Sequence, residues 1–217
     1  MNKPCVFFDL DGTLTDSGPG IINCGIYTLE YFGLPVPDRT ELRSMVGPPL
    51  RATFAKYGVP ADRIDEAISV YRSRYIPHGM FENEPYPGIR ELLARLQAEG
   101  FRLFVATSKP EHMANEILSH FQMDSCFERI CGAASDRRRD TKAAVIAYLL
   151  EQIGGAGHAV MVGDTAYDVL GAKEHGIATI GVSWGYGEEA NMLDAGAVSI
   201  AHTMDELAAA IHRCLLP

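Results

Sequence analysis

The sequence predicts an α/β fold in which a parallel sheet, covered by helices on both faces, is interrupted after its first strand by an all-helical insert. Three observations predict it. From Gly88 onward, short apolar runs alternate with segments of helical period, the order that builds parallel sheets. Those runs are nearly continuous in apolar residues rather than alternating, as strands buried on both faces are. One further strand stands alone near the N-terminus, and the stretch after it, residues 16–87, contains no convincing strand.

Taken in order, residues 4–8 (PCVFF) form the first strand. In the insert, Ile22, Ile26 and Leu29 mark one helix, and Ile64, Ala67, Ile68, Tyr71 and Tyr75 mark another. Pro35, Pro37, Pro48, Pro49 and Pro60 separate its pieces, and PYPG at 85–88 reads as a hinge. Phe101 to Ala106 is a strand, and Met113, Ile117, Leu118 and Phe121 recur at helix spacing. Arg129 to Ala133 is a strand, followed by a helix carrying Val145, Tyr148, Leu149 and Ile153. His158 to Val162 and Ala178 to Val182 are strands, with Val169 to Glu174 helical between them. Asp205 to Leu215 closes the chain as a helix capped by Thr203 or Asp205. The expectation is a Rossmann-like sheet domain of residues 1–15 and 88–217, with a helical domain of residues 16–87 inserted in it.

Composition excludes several classes of function. The chain has 217 residues and a net charge of −9, against the basic face that a nucleic-acid polymer demands. The insert itself, with seven basic and nine acidic residues, is nearly neutral. The N-terminal apolar run, Cys5 to Phe8, is cut off by Asp9, too early for a signal peptide or a membrane span. Five cysteines without a CxxC pair read as reduced thiols, most of them small core residues, in a cytoplasmic protein.

The chemistry gathers at strand ends, where open parallel sheets bind their ligands. Asp9-Leu10-Asp11-Gly12-Thr13 follows the first strand. Carboxylates at i and i+2 of an extended chain project to the same side and repel unless a cation or proton intervenes. Hard oxygen ligands of this kind suit Mg²⁺, although a polar turn after a buried strand uses the same residue types. Thr107-Ser108-Lys109 follows the next strand and precedes a helix, a position where hydroxyls and backbone N–H groups cradle phosphate or cap the helix. Lys142 opens a helix, where a cation opposes the helix dipole; this fits an anionic partner, although a solvated face places a lysine there more often. Gly163-Asp164-Thr165-Ala166-Tyr167-Asp168 adds two more carboxylates after another strand.

In this order and at these strand ends, the motifs resemble those of the haloacid dehalogenase superfamily, in its phosphatase branch. The match runs through Asp9-x-Asp11-Gly12-Thr13, Thr107, Lys142 and Gly163-Asp164-x-x-x-Asp168. It covers essentially the whole chain, with the insert in the place of the family's cap. DSGPGI (16–21), GPPL (47–50) and GVSWGYG (181–187) look most like the subgroup of 5′-nucleotidases and phosphoglycolate phosphatases. The charged segment SDRRRDTK (135–142) around Lys142 departs from the pattern.

The resemblance implies a Mg²⁺-dependent phosphatase acting on a small phosphorylated metabolite, a nucleoside 5′-monophosphate or phosphoglycolate. Asp9 would be the nucleophile, forming an aspartyl-phosphate, and Asp11 the acid and base. Mg²⁺ would be held by the Asp9 side chain, the Asp11 carbonyl and Asp164, with Asp168, Gly12 and Gly163 in support. Thr107, the Ser108 N–H and Lys142 would grip the phosphate. Arg43 and Arg51 are candidates for substrate choice by their location in the insert.

Rival readings fare less well. Gly181-Val182-Ser183-Trp184-Gly185 matches a GxSxG nucleophile elbow, but too little chain follows it to complete a serine-hydrolase fold. Gly185-x-Gly187-x-x-Ala190 matches GxGxxA, yet it would aim Glu188 and Glu189 at a pyrophosphate. A receiver-type phosphoryl acceptor would place its lysine last, whereas Lys142 precedes Asp164. A phosphomutase of the same superfamily shares the whole catalytic set.

Overall fold

The structure is a computed structural model describing residues 3–134 and 138–215. Part of the charged segment 135–142 therefore lies outside the described residues. In chain order the elements are β1 (Cys5–Phe8), β2 (Thr15–Asp16), α1 (Gly18–Tyr31), α2 (Arg39–Leu42), α3 (Leu50–Lys56), α4 (Ile64–Tyr75), β3 (Glu84–Pro85), α5 (Ile89–Ala98) and β4 (Arg102–Pro110). There follow α6 (Glu111–His120), β5 (Arg129–Ala133), α7 (Lys142–Ile153), β6 (Ala159–Gly163), α8 (Ala166–Lys173), β7 (Ala178–Val182), α9 (Glu189–Ala195), β8 (Ser199–Ala201) and α10 (Met204–Leu215).

Two compact units divide the chain: Met1–Thr15 with Pro85–Pro217, and Asp16–Glu84. The two crossings, β2 and β3, form a small sheet of their own. The return crossing precedes the expected PYPG hinge, because the Tyr86 N–H donates to Leu14 O at 3.1 Å and fastens that segment to the first unit.

The first unit is a Rossmann-like α/β sheet of six strands in the order β5-β4-β1-β6-β7-β8, all of them paired in parallel. β1 is central and buried throughout. Alternation sends Cys5 and Phe7 to one face, where they join Phe104, Cys131 and Met161 beneath Val145, Ile146 and Leu149 of α7. Phe7 meets Phe104 edge-on at 5.6 Å. Val6 and Phe8 are equally buried by the opposite face, which is why the strand reads as a continuous apolar run.

Several elements have weak sequence signals. α5 buries Ile89, Leu92, Leu93 and Leu96, one helical stripe that begins at Gly88. The edge strand β8 is a mere three residues, too short for a period to show. At α10 the Thr203 hydroxyl accepts the Glu206 N–H at 3.1 Å, so Thr203 rather than Asp205 is the cap. Among the described residues no helix is long and apolar enough to cross a membrane. Cys5, Cys24 and Cys131 are buried.

The second unit packs α1 against α4. Ile21, Ile22 and Leu29 face the interior from α1, with Ile26 half-buried, while α4 contributes Ile64, Ala67, Tyr71 and Tyr75. Tyr71 stacks on Tyr75 at 5.2 Å and meets the Phe54 ring of α3 edge-on at 5.9 Å.

The sheet core should be the principal source of stability. Phe104→Ala is expected to lower unfolding free energy by about 3–5 kcal/mol. Tyr167→Ala, at a side chain 59% exposed, should change it by less than about 0.5 kcal/mol. Equilibrium denaturation of the full chain measures both.

Candidate active site

The register explains why the site forms where it does. Phe8 lies beside Val105 of β4 and Val162 of β6, so the next residues on the three strands, Asp9, Ala106–Thr107 and Gly163–Asp164, emerge together. The Asp9 N–H donates to Val162 O at 2.9 Å, extending the ladder by one residue. After Asp9 the chain turns tightly, with Leu14 N donating to Leu10 O at 2.9 Å and Gly12 N to Thr15 O at 2.8 Å. Leu10 and Leu14 anchor that turn in the core. Gly12 adopts φ +78°, and a Cβ there would lie 2.2 Å from Asp164 Oδ2. No residue with a side chain fits between this turn and Asp164.

Lys142 binds the site together. Thr141 caps α7 by accepting the Ala144 N–H, which places Lys142 at the helix start. Its Nζ lies 2.8 Å from Asp9 Oδ1, 2.7 Å from Asp168 Oδ1 and 2.8 Å from Ala106 O. Burial opposes the ammonium charge, but Asp168 and Asp9 more than offset it, so the Lys142 pKa is raised. Asp168 is fixed on its other oxygen, where Thr165 donates from N at 3.1 Å and from Oγ1 at 2.8 Å. This reciprocal cap also starts α8.

The carboxylates of Asp9, Asp164 and Asp168 converge, with one oxygen from each lying within 4.8 Å of the others. All three residues are buried. Burial pushes the Asp9 carboxyl up to about 6, with Lys142 opposing and Asp168 and Asp11 adding. Burial likewise pushes Asp164 well above the usual carboxylate range, reinforced by Asp168 and Asp9. One ammonium therefore faces three buried acids. Among the described residues the buried Asp9 Oδ1 and Asp168 Oδ1 have the Lys142 ion pair but no hydrogen bond. An oxygen-rich, under-neutralised cluster of this kind fits a hard divalent cation.

Asp11 has a cation of its own. Because the chain turns after Asp9 instead of continuing as a strand, the two side chains do not share a partner. The Asp11 carboxylate is held by Lys109, whose Nζ lies 2.9 Å from Oδ1 and 2.7 Å from Oδ2. Lys109 has no role in the sequence reading. Its signal is a lysine at the end of a buried strand, directly after the polar pair Thr107-Ser108.

Thr107 is buried and Ser108 exposed. Neither begins a helix: the strand continues through a register shift between Ala106 and Pro110, and α6 starts only at Glu111. The Lys109 N–H bonds the Thr107 hydroxyl at 3.2 Å and holds that bulge. Gly163 permits the close approach of Asp168, whose Cγ would lie 2.3 Å from a Cβ there. Arg43 and Arg51 belong to the second unit, where Arg51 pairs with Asp65.

The Ser183 segment is not a nucleophile elbow, because α9 begins only at Glu189 and residues 183–187 form turns. That loop runs over Asp164 instead. The Tyr186 N–H donates to Asp164 Oδ2 at 2.8 Å, and the Trp184 indole donates to Thr13 O at 3.2 Å.

Residues 6–182 match the family described as haloacid dehalogenase-like hydrolases. The chain belongs to that family. It is 43% identical over 210 residues to a protein named tyrosine-protein kinase PtkA from Mycobacterium tuberculosis, covering 95% of this chain and 72% of the relative. It is also 43% identical over 191 residues to a 5′-nucleotidase of Pseudomonas aeruginosa, covering 87% and 86% of the two. Among solved structures, a predicted phosphatase from Clostridium acetobutylicum superposes with a TM-score of 0.91 at 40% identity, over 98% of this chain and 99% of that one. As a member of the haloacid dehalogenase-like hydrolases, the chain is an enzyme of the phosphatase class.

Removing the shared ammonium tests this geometry. Lys142→Met would leave Asp9 and Asp168 buried without their cation and should destabilise the metal-free protein by about 3–5 kcal/mol. Urea denaturation at neutral pH reads the difference.

Proposed function

We propose that this phosphatase hydrolyses a small phosphate monoester through an aspartyl-phosphate on Asp9, with residues 16–84 as its cap. The observation that carries the reading is the placing of Asp9. Its carboxylate stands at the central strand end, tied to Lys142 by one oxygen and converging with two further acids. A carboxylate kept ionised by a neighbouring ammonium in a buried site is suited to attack phosphorus.

In this reading an Asp9 oxygen forms a bond to phosphorus as the ester P–O bond breaks, and the departing oxygen takes a proton from Asp11. Water then attacks phosphorus, the Asp9–phosphorus link breaks and inorganic phosphate leaves, while Asp11 receives the water proton. Asp11 is held in place by Lys109; the first step uses its protonated form and the second its carboxylate.

Lys142 donates to Ala106 O and ion-pairs with Asp9 and Asp168. Its contribution is to keep Asp9 ionised and to lie beside any phosphoryl group attached there. The Thr107 hydroxyl and the Ser108 N–H complete the phosphate grip. A Mg²⁺ ion would be held by the Asp9 and Asp164 side chains and the Asp11 carbonyl, with Asp168 steadying Lys142. When bound it neutralises the carboxylates and draws charge from the phosphoryl oxygens.

For the substrate, the likeness to a 5′-nucleotidase supports a nucleoside 5′-monophosphate, with phosphoglycolate beside it. Arg43 and Arg51 of the cap are the residues assigned to that choice. Family membership sets aside the receiver-type alternative.

Asp9→Asn should abolish release of inorganic phosphate from p-nitrophenyl phosphate with Mg²⁺, without unfolding the chain. Normal turnover would overturn the nucleophile, and retention of the phosphoryl group by the wild-type protein would overturn hydrolysis. A panel of nucleotides, phosphoglycolate and sugar phosphates should show the highest kcat/KM for a 5′-nucleotide or phosphoglycolate. Interconversion of sugar phosphates without phosphate release would instead indicate a mutase. On the preferred substrate, Asp11→Ala should lower kcat by about 10²–10⁴-fold.

A further inference from the structure

The loop at 183–187 has no part in the chemistry above, yet it makes a closed circuit of hydrogen bonds with the site. The Trp184 Nε1–H donates to Thr13 O at 3.2 Å, the Thr13 hydroxyl donates to Asp164 Oδ1 at 3.3 Å, and the Tyr186 N–H donates to Asp164 Oδ2 at 2.8 Å. Three segments far apart in sequence are thereby joined around one carboxylate. Thr13 is fully buried and Asp164 only 1% exposed, so water cannot replace these partners.

The loop backbone lies directly on Asp164. A Cβ at Gly185 would come within 2.3 Å of Asp164 Cβ, and one at Gly187 within 2.1 Å of Asp164 O. The Trp184 ring is itself seated beside Tyr86, centroids 6.2 Å apart. The indole thus cannot drift from Thr13 without shifting a packed aromatic pair.

We propose that Trp184 is a positioning residue that sets the divalent-cation affinity of Asp164, acting through Thr13. This rests on the reading that Asp164 helps to hold a divalent cation. A carboxylate has about four lone-pair directions; one hydrogen bond to each oxygen fixes its plane and leaves the remaining directions aimed together. Without the indole donor, Thr13 O loses its partner, the turn after Asp9 relaxes, and the Thr13 hydroxyl no longer pins Oδ1. Partners that orient a metal ligand from behind typically account for 10–100-fold in affinity.

Trp184 is also the sole tryptophan of the chain, so its fluorescence reports on this point alone. The test is titration of the full chain with Mg²⁺, followed by the rise in Tm and, in the wild type, by Trp184 emission. Trp184→Phe should raise the apparent Mg²⁺ Kd by about 10-fold or more, and activity lost at limiting Mg²⁺ should return as Mg²⁺ is raised. Ser183→Ala, in the same loop, should leave the Kd at the wild-type value.

Thr13→Val should reproduce the shift. The double variant with Trp184→Phe should add little to it, since both act on one linkage. Thr13→Val also decides the matter if Trp184→Phe does not fold. An unchanged Kd in the folded variants, beside a clear Mg²⁺ response in the wild type, would overturn the role of Trp184 alone. No Mg²⁺ response in the wild type would overturn the cation reading together with it.

Discussion

The Lys142 ammonium is the interaction on which the rest of the site depends, because among the described residues it is the cation paired with both Asp9 and Asp168. Burying a carboxylate without a partner costs several kcal/mol, and a buried pair is tolerable only with close geometry and its remaining hydrogen bonds made. Each local feature around Lys142 serves that geometry. Thr141 starts the helix one residue before it, Ala106 O accepts a hydrogen bond from it, and Thr165 occupies the far oxygen of Asp168. Gly171 lets α8 approach α7, where a Cβ would come 2.7 Å from Lys142 Cβ. A lysine at a helix N-terminus is disfavoured by the dipole by about 0.3–1 kcal/mol, a small cost beside two direct ion pairs.

The sheet brings these groups together without any of them being adjacent in sequence. β1 is central, and the chain pairs β4 on one side of it and β6 on the other. The ends of the three strands therefore open on the gap that such a change of direction leaves, where parallel sheets hold their ligands. Since both faces are sealed by helices, the polar residues can leave the core only at that edge. The acids are buried there because Leu10, Leu14 and the loop over Asp164 close around them.

Much of this was legible in the sequence, and the illegible part has a common cause. Apolar runs marked the strands because burial on both faces leaves no alternation; Asp9 and Asp164 stood out as charges where such runs end, and Lys142 as a cation opening a helix. The partnership of Lys109 with Asp11 did not show, since the two are 98 residues apart and meet only through strand register. The spacing of Asp9 and Asp11 suggested neighbouring carboxylates, and the charge of Asp11 does act on Asp9; it could not show that each has its own lysine. Trp184 was hidden by a false motif. Gly185 and Gly187 are needed for close approach to Asp164, whereas Gly181 makes room for Ile200 and Met192, so the GxSxG pattern arises from two packing requirements without a serine nucleophile.

Asp9 and Asp164 are pushed upward chiefly by burial, so the folded chain keeps carboxylates where their charge is poorly solvated. The apolar sheet on either side, with Phe7 and Phe104 at its centre, offsets that cost. Relaxing the site by opening it to water would restore the acids to their ordinary behaviour and weaken their hold on any cation or phosphoryl group, because attraction between charges falls as the surroundings become more polar. The tension between a stable core and under-neutralised acids is thus the condition under which the strand edge can act on a charged ligand.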